Sequence, residues 1–330
     1  MQLKDYFFNI KKKQNKIFFS GIASSSFKVK KNFVFFAIKG NKKDGNKFIK
    51  VAIRKGAKVI VSNNKNLKKR KDIVYVYSNN VRKLLAEVSF KNIKNPKKLV
   101  AITGTNGKSS IADFYYQILN LNQKRVASIG TIGIKYSNIK NKLKNTTLDP
   151  IQLSSILRSL NKKRIDYVIL EASSHGLDQN RLDGLLFDIG IFTNLSHDHL
   201  DYHKNMNNYL KSKLYLFDQL MKKRGDVITD SQIPEKRRIE KISVKRKLNL
   251  SLILNETKGI KLNSHEFANE KQVLKLKFKN KIFKLEVDLI GKVQIKNVLM
   301  AILAAYKSGI KIEKIINVIA KLKSVEGRFE

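Results

Sequence analysis

Apolar residues along this chain fall into two kinds of run. In residues 1–94 they are short. β-rich stretches at 32–38 (NFVFFAI), 58–61 (KVIV) and 73–77 (IVYVY) alternate with helical patterns at 48–54 and 81–88. Clusters of β-branched and aromatic residues bounded by polar turns read as strands, and apolar positions at spacings of three and four read as helices. The alternation predicts a compact, mixed α/β amino-terminal domain. A polar link, KNIKNPKK at 91–98, follows, and Pro96, one of only three prolines, marks a domain boundary there. From Leu99 the runs become wholly apolar: strands at 99–103, 126–129, 167–171 and 188–195, with helices at 108–121, 151–160 and 206–220. Continuous apolar strands joined by helices belong in a mostly parallel, doubly wound sheet with both faces covered. Residues 95–330 are therefore expected to form a second α/β domain. Strict alternation at 273–287 around Asn280 and Lys281 predicts a surface hairpin. Helices at 293–306 and 312–322 follow, and VEGRFE at 325–330 reads as the start of a further strand or linker.

Composition sharpens the class. The chain has 330 residues, 42% of them hydrophobic, which suits two domains with their own cores. Lys+Arg is 68 against 26 Asp+Glu, a formal net charge of +42, yet only 12 of the basic residues are Arg. A dedicated nucleic-acid surface draws on Arg for bidentate contacts, so lysines spread through every element read as a chain-wide bias, and no specific nucleic-acid partner is expected. Zero Cys excludes disulfides, thiolate metal sites and cysteine nucleophiles. The longest apolar segments are roughly ten residues, about half of what a hydrocarbon core demands of a helix. The opening, Met1-Gln2-Leu3-Lys4-Asp5, lacks a secretory pattern. The expectation is a cytoplasmic chain with no membrane insertion.

The sharpest chemical signal is AITGTNGKSS at 101–110, an apolar strand running into a glycine turn and then a helix. Gly104 and Gly107 let backbone N–H groups, with Thr105 and Asn106 between them, converge on phosphate oxygens. Lys108 would neutralise the transferring end, and Ser109, followed by Ser110 at the helix start, can ligate magnesium. The spacing Gly104-x-x-Gly107-Lys108-Ser109 lacks the first glycine of the standard pattern, since position 102 is Ile; a purely structural turn is the competing reading. Glu171 ends the strand YVILE, at the edge where open α/β sheets bind ligands, and a carboxylate there can hold magnesium; a solvated strand-end acid is the alternative. His175, in EASSHG, reads equally as a turn hydrogen-bonder or a functional group. SHDHLDYH at 196–203 holds three of the five histidines. Its spacing matches no zinc motif, and a magnesium site sharing one histidine fits better beside a phosphate loop. Lys213 lies beside the stripe Leu210, Leu214 and Phe217, where a lysine commonly snorkels.

Taken together, AITGTNGKSS, TTLDP at 146–150, EASSHGLDQNR at 171–181, FTNLSHDHLDYH at 192–203 and YLKSKLYLF at 209–217 resemble the Mur ligase family of ATP-dependent cell-wall amide ligases. The likeness is to members that add the third residue of the peptide, and it extends from GIASSSF at 21–27 to VEGRFE. The fold it implies is an amino-terminal substrate domain over 1–94 and a P-loop-type central ATP domain over 95–330. A carboxy-terminal domain carrying the pocket for the incoming amino acid would be absent. The cofactors it implies are ATP and Mg2+. By resemblance, Lys108 and Ser109 meet phosphates and magnesium, Glu171 and His199 are magnesium ligands, and Asn297 meets adenine. Thr146, Thr147, Ser173 and Arg181 hold UDP-N-acetylmuramoyl-L-alanyl-D-glutamate, and Ser26 meets uridine. Lys213 matches a lysine that the family carries as a carbamate bridging to magnesium. The family's usual Asp-Ser-Arg reads Ser25-Ser26-Phe27 here, losing an acid and a guanidinium from the uridine region.

The expected reaction is amide formation through an acyl phosphate, with a diamino acid as second partner and meso-diaminopimelate ahead of L-lysine; truncation of this kind counts against activity of this chain alone. Two other readings remain: a P-loop kinase or ATPase acting alone, favoured by the self-contained loop, and a non-enzymatic polyanion-binding module, suggested by the charge.

Overall fold

The computed structural model describes residues 1–7, 14–40, 43–68, 70–137, 139–141, 145–268, 271–289 and 291–325. The VEGRFE motif lies outside them from Glu326 onward.

The chain divides into two compact units. The first comprises Met1–Ile93 with two later segments, Asp149–Ile156 and Gln179–Leu185. Its sheet has four parallel strands in the order β1 (Gly21–Ala23), β2 (Phe33–Phe36), β3 (Ala57–Ser62) and β4 (Val74–Tyr77). Side chains alternate across a strand, and the burial follows. Val34, Phe36, Val59, Val61, Val74 and Val76 pack on one face with Val81, Leu85 and Val88 of helix α2 (Val81–Phe90). Phe35 and Ile60 face the other way, onto Ile49 and Ala52 of α1 (Ile49–Arg54). Asn80 caps α2, its side chain accepting from the Lys83 amide. The second of these segments joins through side chains of α2: Arg82 donates to Gln179, and Lys83 lies 3.9 Å from Asp183.

The second unit is built on one sheet of eleven strands. Its parallel centre runs, in spatial order, β13 (Gly259–Ala268), β12 (Asn249–Ile253), β11 (Met221–Asp230), β10 (Phe187–Phe192), β5 (Lys98–Thr103), β9 (Tyr167–Glu171) and β6 (Val126–Gly130). Antiparallel strands extend both ends, β7 (Gly133–Tyr136) and β8 (Ile139–Asn141) beyond β6, β14 (Lys271–Phe278) and β15 (Lys281–Val287) beyond β13. The helices are α3 (Lys108–Leu121), α4 (Pro150–Lys162), α5 (Ser174–Asp178), α6 (Leu200–His203), α7 (Met206–Gln219), α8 (Lys236–Arg246), α9 (Lys292–Lys307) and α10 (Ile312–Ile319). The first residues of α4 belong with the first unit, and Asp149 starts it, accepting from the amides of Ile151 and Gln152 ahead of Pro150 at the first helical position.

α3 is buried along most of its length, with Asp113, Gln117 and Asn120 forming its polar side. Ile111, Phe114 and Ile118 share a core with Val298, Leu299 and Ile302 of α9 and with Val100, Ile102, Ile189 and Ile191 of the central strands. Burial pushes the Tyr115 hydroxyl far above the usual phenol range even though it pairs with Ser308 Oγ at 2.8 Å.

The sheet corrects two sequence expectations. The hairpin at 273–287 exists, with its turn at Lys279 and Asn280, but it is no separate surface piece. Leu274, Leu276, Phe278, Leu285 and Val287 enter the main core, and β13 joins the pair to the parallel strands. Its outer face is rich in lysine, though Glu266, Ile282 and Glu286 share it: Lys275 pairs directly opposite Lys284, and Lys261 opposite Lys277, with Glu256 bridging the latter two at 2.8 and 2.6 Å. The strand anticipated at 188–195 ends at Phe192, because Thr193 and Asn194 turn aside to hold the glycine loop. Among the described residues no helix is long and apolar enough to cross a membrane.

Candidate active site

The glycine loop spans the turn from β5 into α3, where strand order reverses across the sheet and β10 and β9 flank β5 on its two sides. Gly104 takes φ of 144° and Gly107 φ of 81°, conformations that side chains resist. Space enforces the same choice, since a Cβ on Gly104 would strike Thr193 and one on Gly107 would lie 2.6 Å from Asn297 Oδ1. Thr193 Oγ1 donates to the Asn106 carbonyl at 2.6 Å, and the Asn106 amide donates to Asn194 Oδ1 at 3.0 Å. Gly107 is the N-cap of α3, so the first-turn amides of a long helix, which have no intrahelical carbonyls, end at the loop. Thr105, Ser109 and Ser110 are buried, while Asn106 is exposed.

Two lysines converge on one backbone oxygen. The Gly104 carbonyl accepts from Lys108 Nζ at 3.0 Å and from Lys213 Nζ at 2.6 Å; Lys108 also donates to the Thr105 carbonyl at 2.6 Å. Lys213 is 1% exposed, so it does not snorkel as its position on the helical stripe suggested. Desolvation, and then the charge on Lys108, pull its ammonium down to about 6. Burial thus disfavours the charged form of Lys213 and favours its neutral amine. The amine sits 4.3 Å over the Tyr209 ring, and the Tyr209 hydroxyl lies 3.2 Å from Thr105 Oγ1.

Glu171, 3% exposed, sits at the end of β9. Its Oε2 accepts from Ser109 Oγ at 3.1 Å and from Thr131 Oγ1 at 3.0 Å, and its Oε1 accepts from the Thr131 amide at 2.9 Å. It is not the solvated acid of the competing reading. A hydroxyl and a carboxylate side by side at a phosphate loop form an all-oxygen donor set that fits magnesium, which binds through one or two carboxylates and takes its other ligands from phosphate and water. Among the described residues no three His, Cys, Asp or Glu side chains gather as a complete metal cage.

The histidines group elsewhere. His175 packs against His199 (ring centroids 4.8 Å apart), Tyr202 (4.2 Å) and His203 (5.4 Å), and Tyr209 adjoins His199 and His203. Burial holds His203 below the ordinary imidazole value, and its Nε2 has no hydrogen-bond partner. His199, with φ of 53°, pairs with Asp198 and makes no hydrogen bond to Ser109 or Glu171; Tyr209 lies between it and the loop.

Of the residues assigned to the muramoyl substrate by resemblance, three come together. Thr147 Oγ1 donates to the Glu171 carbonyl at 2.9 Å and accepts from the Ser173 amide and hydroxyl, and Thr146 Oγ1 lies 3.0 Å from Thr131 Oγ1. Ser26 and Arg181 belong to the first unit: Ser26 is buried in a short 3-10 turn, and Arg181 donates to Gln179. Asn297, buried on α9, lies against Gly107 at the helix end of the loop and donates to Gln294. Sequence reasoning passed over Thr131, Thr193 and Tyr209. Thr131 stands two residues past an anticipated strand, while Thr193 and Tyr209 lie inside the family-like stretches at 192–203 and 209–217, which were the available signals.

A doubly wound sheet with a glycine turn at its central strand defines the P-loop-type α/β class. Within it the chain belongs to the Mur ligase family: the Mur ligase middle domain matches residues 102–305, and the family's catalytic domain matches residues 18–98. It is 36% identical over 317 residues to a UDP-N-acetylmuramoyl-L-alanyl-D-glutamate–2,6-diaminopimelate ligase of Rickettsia prowazekii, covering 94% of this chain and 65% of that protein. The ligase of the same description from Fusobacterium nucleatum is 32% identical, with 94% and 63% covered. The chain thus spans just under two thirds of these relatives' length. A solved ligase of that description superposes with a TM-score of 0.87 at 24% identity, covering all of this chain and 69% of the other. A MurF ligase from Thermotoga maritima in complex with ADP gives a TM-score of 0.63 at 21% identity, with 93% and 67% covered.

Proposed function

We propose that this chain carries the substrate-binding and ATP-binding parts of an amide ligase that extends UDP-N-acetylmuramoyl-L-alanyl-D-glutamate by a diamino acid in the cytoplasm. The observation that carries the reading is the convergence of Lys108 and Lys213 on the Gly104 carbonyl beside the Ser109–Glu171 pair. A generic nucleotide loop needs one lysine. A second, buried and with its charged form disfavoured, suits a group that is modified or acts as a neutral amine.

In the proposed reaction a carboxylate oxygen of the D-glutamyl residue attacks the γ-phosphorus of ATP, the bond to the β-phosphate oxygen breaks, and ADP departs. The amine of the incoming amino acid then attacks the acyl carbon, loses a proton, and inorganic phosphate leaves. The loop amides and the Lys108 ammonium neutralise charge spreading over the phosphoryl oxygens. Magnesium, when bound, supplies further positive charge against those oxygens. Ser109 and Glu171 are its proposed ligands, and His199 and Lys213 are assigned the same role by family resemblance. A neutral amine is the form that adds to carbon dioxide, and the carbamate nitrogen retains one N–H for the Gly104 carbonyl. Thr146, Thr147, Ser173, Arg181 and Ser26 are the proposed contacts of the nucleotide-linked acceptor, and Asn297 that of the adenine side. The names of the relatives favour diaminopimelate over lysine as the added residue.

Titration calorimetry with Mg·ATP and with UDP-N-acetylmuramoyl-L-alanyl-D-glutamate tests the proposal. Both bind the wild-type chain, and Glu171→Gln, which keeps the shape but removes the charge, weakens Mg·ATP at least tenfold, about 1.4 kcal/mol, while leaving magnesium-free nucleotide binding less affected. Absence of binding by either ligand to the wild-type chain would overturn it.

A further inference from the structure

Thr131 occupies a junction that neither the glycine loop nor the acceptor residues explain. It follows the last residue of β6, whose neighbour β9 ends in Glu171, so the carboxyl ends of two adjacent strands fix its backbone. Gly130 makes this possible, since a Cβ there would run into the Glu171 carboxylate. Thr131 then holds both oxygens of that carboxylate, its amide on Oε1 at 2.9 Å and its hydroxyl on Oε2 at 3.0 Å.

The proton count gives the network a direction. A threonine hydroxyl has one proton to donate and lone pairs to accept with. The proton of Thr131 goes to Glu171 Oε2, so in the 3.0 Å contact with Thr146 the donor is Thr146. The chain therefore reads Thr146 to Thr131 to Glu171, with Ser109 donating to the same Oε2 from the other side. Thr147 ties the same segment to the Glu171 main chain and to Ser173. One carboxylate oxygen thus accepts one hydrogen bond from the phosphate loop and one from Thr131, which links it to the acceptor side.

We propose that Thr131 is a positioning residue that couples the two ligands: by bridging Glu171 to Thr146 it makes nucleotide binding and acceptor binding favour one another. When a bound nucleotide's metal engages Ser109 and Glu171, the Glu171 carboxylate is held in one position, and Thr131, bonded to both of its oxygens, is held with it. That fixes the direction of the Thr131 acceptor lone pair toward Thr146. Linkage requires the reverse effect to be equal in size. The proposal rests on the ligase reading above, with Ser109 and Glu171 at the nucleotide end and Thr146 at the acceptor end.

The test is a thermodynamic square on the whole chain. The affinity for UDP-N-acetylmuramoyl-L-alanyl-D-glutamate is measured with and without saturating magnesium and a non-hydrolysable ATP analogue, for wild type, Thr131→Ser, Thr131→Val and Thr146→Val. Wild type shows coupling of about tenfold. Thr131→Ser retains it, because the hydroxyl remains; Thr131→Val brings it close to onefold while each ligand still binds. Thr146→Val weakens the acceptor and also removes the coupling, so the conclusion stands on a second variant if Thr131→Val fails to fold. A merely structural Thr131 would lower both affinities and leave their ratio intact, and that result overturns the proposal, as does a wild-type chain that binds both ligands independently. Failure of wild type to bind either ligand defeats the ligase reading itself and is distinguishable from both.

Discussion

Replacing Lys213 by Met keeps most of the side-chain volume and removes the amine. The ordinary lysine value is 10.5 and the buried one about 6. Between those limits the unfolded chain holds a proton that the folded chain has released, so stability rises with pH, by about 1.4 kcal/mol per unit. Below the lower limit both states are protonated and the whole penalty, about 6 kcal/mol, is present. At pH 7 roughly 5 kcal/mol of it remains, against which the hydrogen bond to the Gly104 carbonyl returns about 1 kcal/mol. Lys213→Met is therefore expected to be more stable than wild type by about 3–4 kcal/mol at pH 7, with the advantage shrinking steadily and gone near pH 10. Urea denaturation of both proteins in carbon dioxide-free buffer from pH 6.5 to 9.5 measures the difference, in which the other titrating groups cancel. Adding labelled bicarbonate at pH 7.5 should stabilise wild type alone and give a carbamate carbon resonance missing from the variant. A variant less stable at every pH, or a difference without pH slope, would refute the assignment of a neutral amine.

Gly107→Ala must adopt a strained positive φ and meet Asn297, so it should lose about 1–3 kcal/mol of stability and weaken ATP binding at least tenfold by calorimetry. In the hairpin, Leu274→Ala should cost about 2–5 kcal/mol in a denaturant titration, whereas Ile282→Ala, at a side chain 65% exposed, should stay within about 0.5 kcal/mol; equal effects would contradict the place of this strand pair in the core. Asp149→Ala removes the acceptor for two amides at the start of α4 and should lower the thermal midpoint by an amount matching about 1 kcal/mol, with Asp149→Asn recovering most of it.

The central strands and α3 were legible because the sheet buries both faces of the strands and nearly every side of the helix, leaving continuous apolar runs. β11 and β12 were not, because MKKRGDVITD begins on exposed lysine and arginine before its buried half, and NLSLI places Ser251 inside. The loop residues and Glu171 could be read from local spacing. What spacing could not give was the distance from Lys213 to Gly104, 109 positions earlier in the chain. Helical periodicity put that lysine beside an apolar stripe, and only the approach of α7 to the loop makes it buried. Thr131 is a similar case: its importance comes from a neighbouring strand end that is forty residues away in sequence.

The lysine-faced hairpin also determines how this sheet responds to its solvent. Like charges directly across a strand pair oppose the pairing, and among the described residues no ion pair joins Lys275 or Lys284, whereas Glu256 bridges Lys261 and Lys277. Dissolved ions screen exposed charges over about 10 Å at 0.1 M. In most proteins that screening erodes surface ion pairs. At this edge it relieves a repulsion, so moderate ionic strength should slow amide exchange in β14 and β15, and desalting should let this end of the sheet fray first.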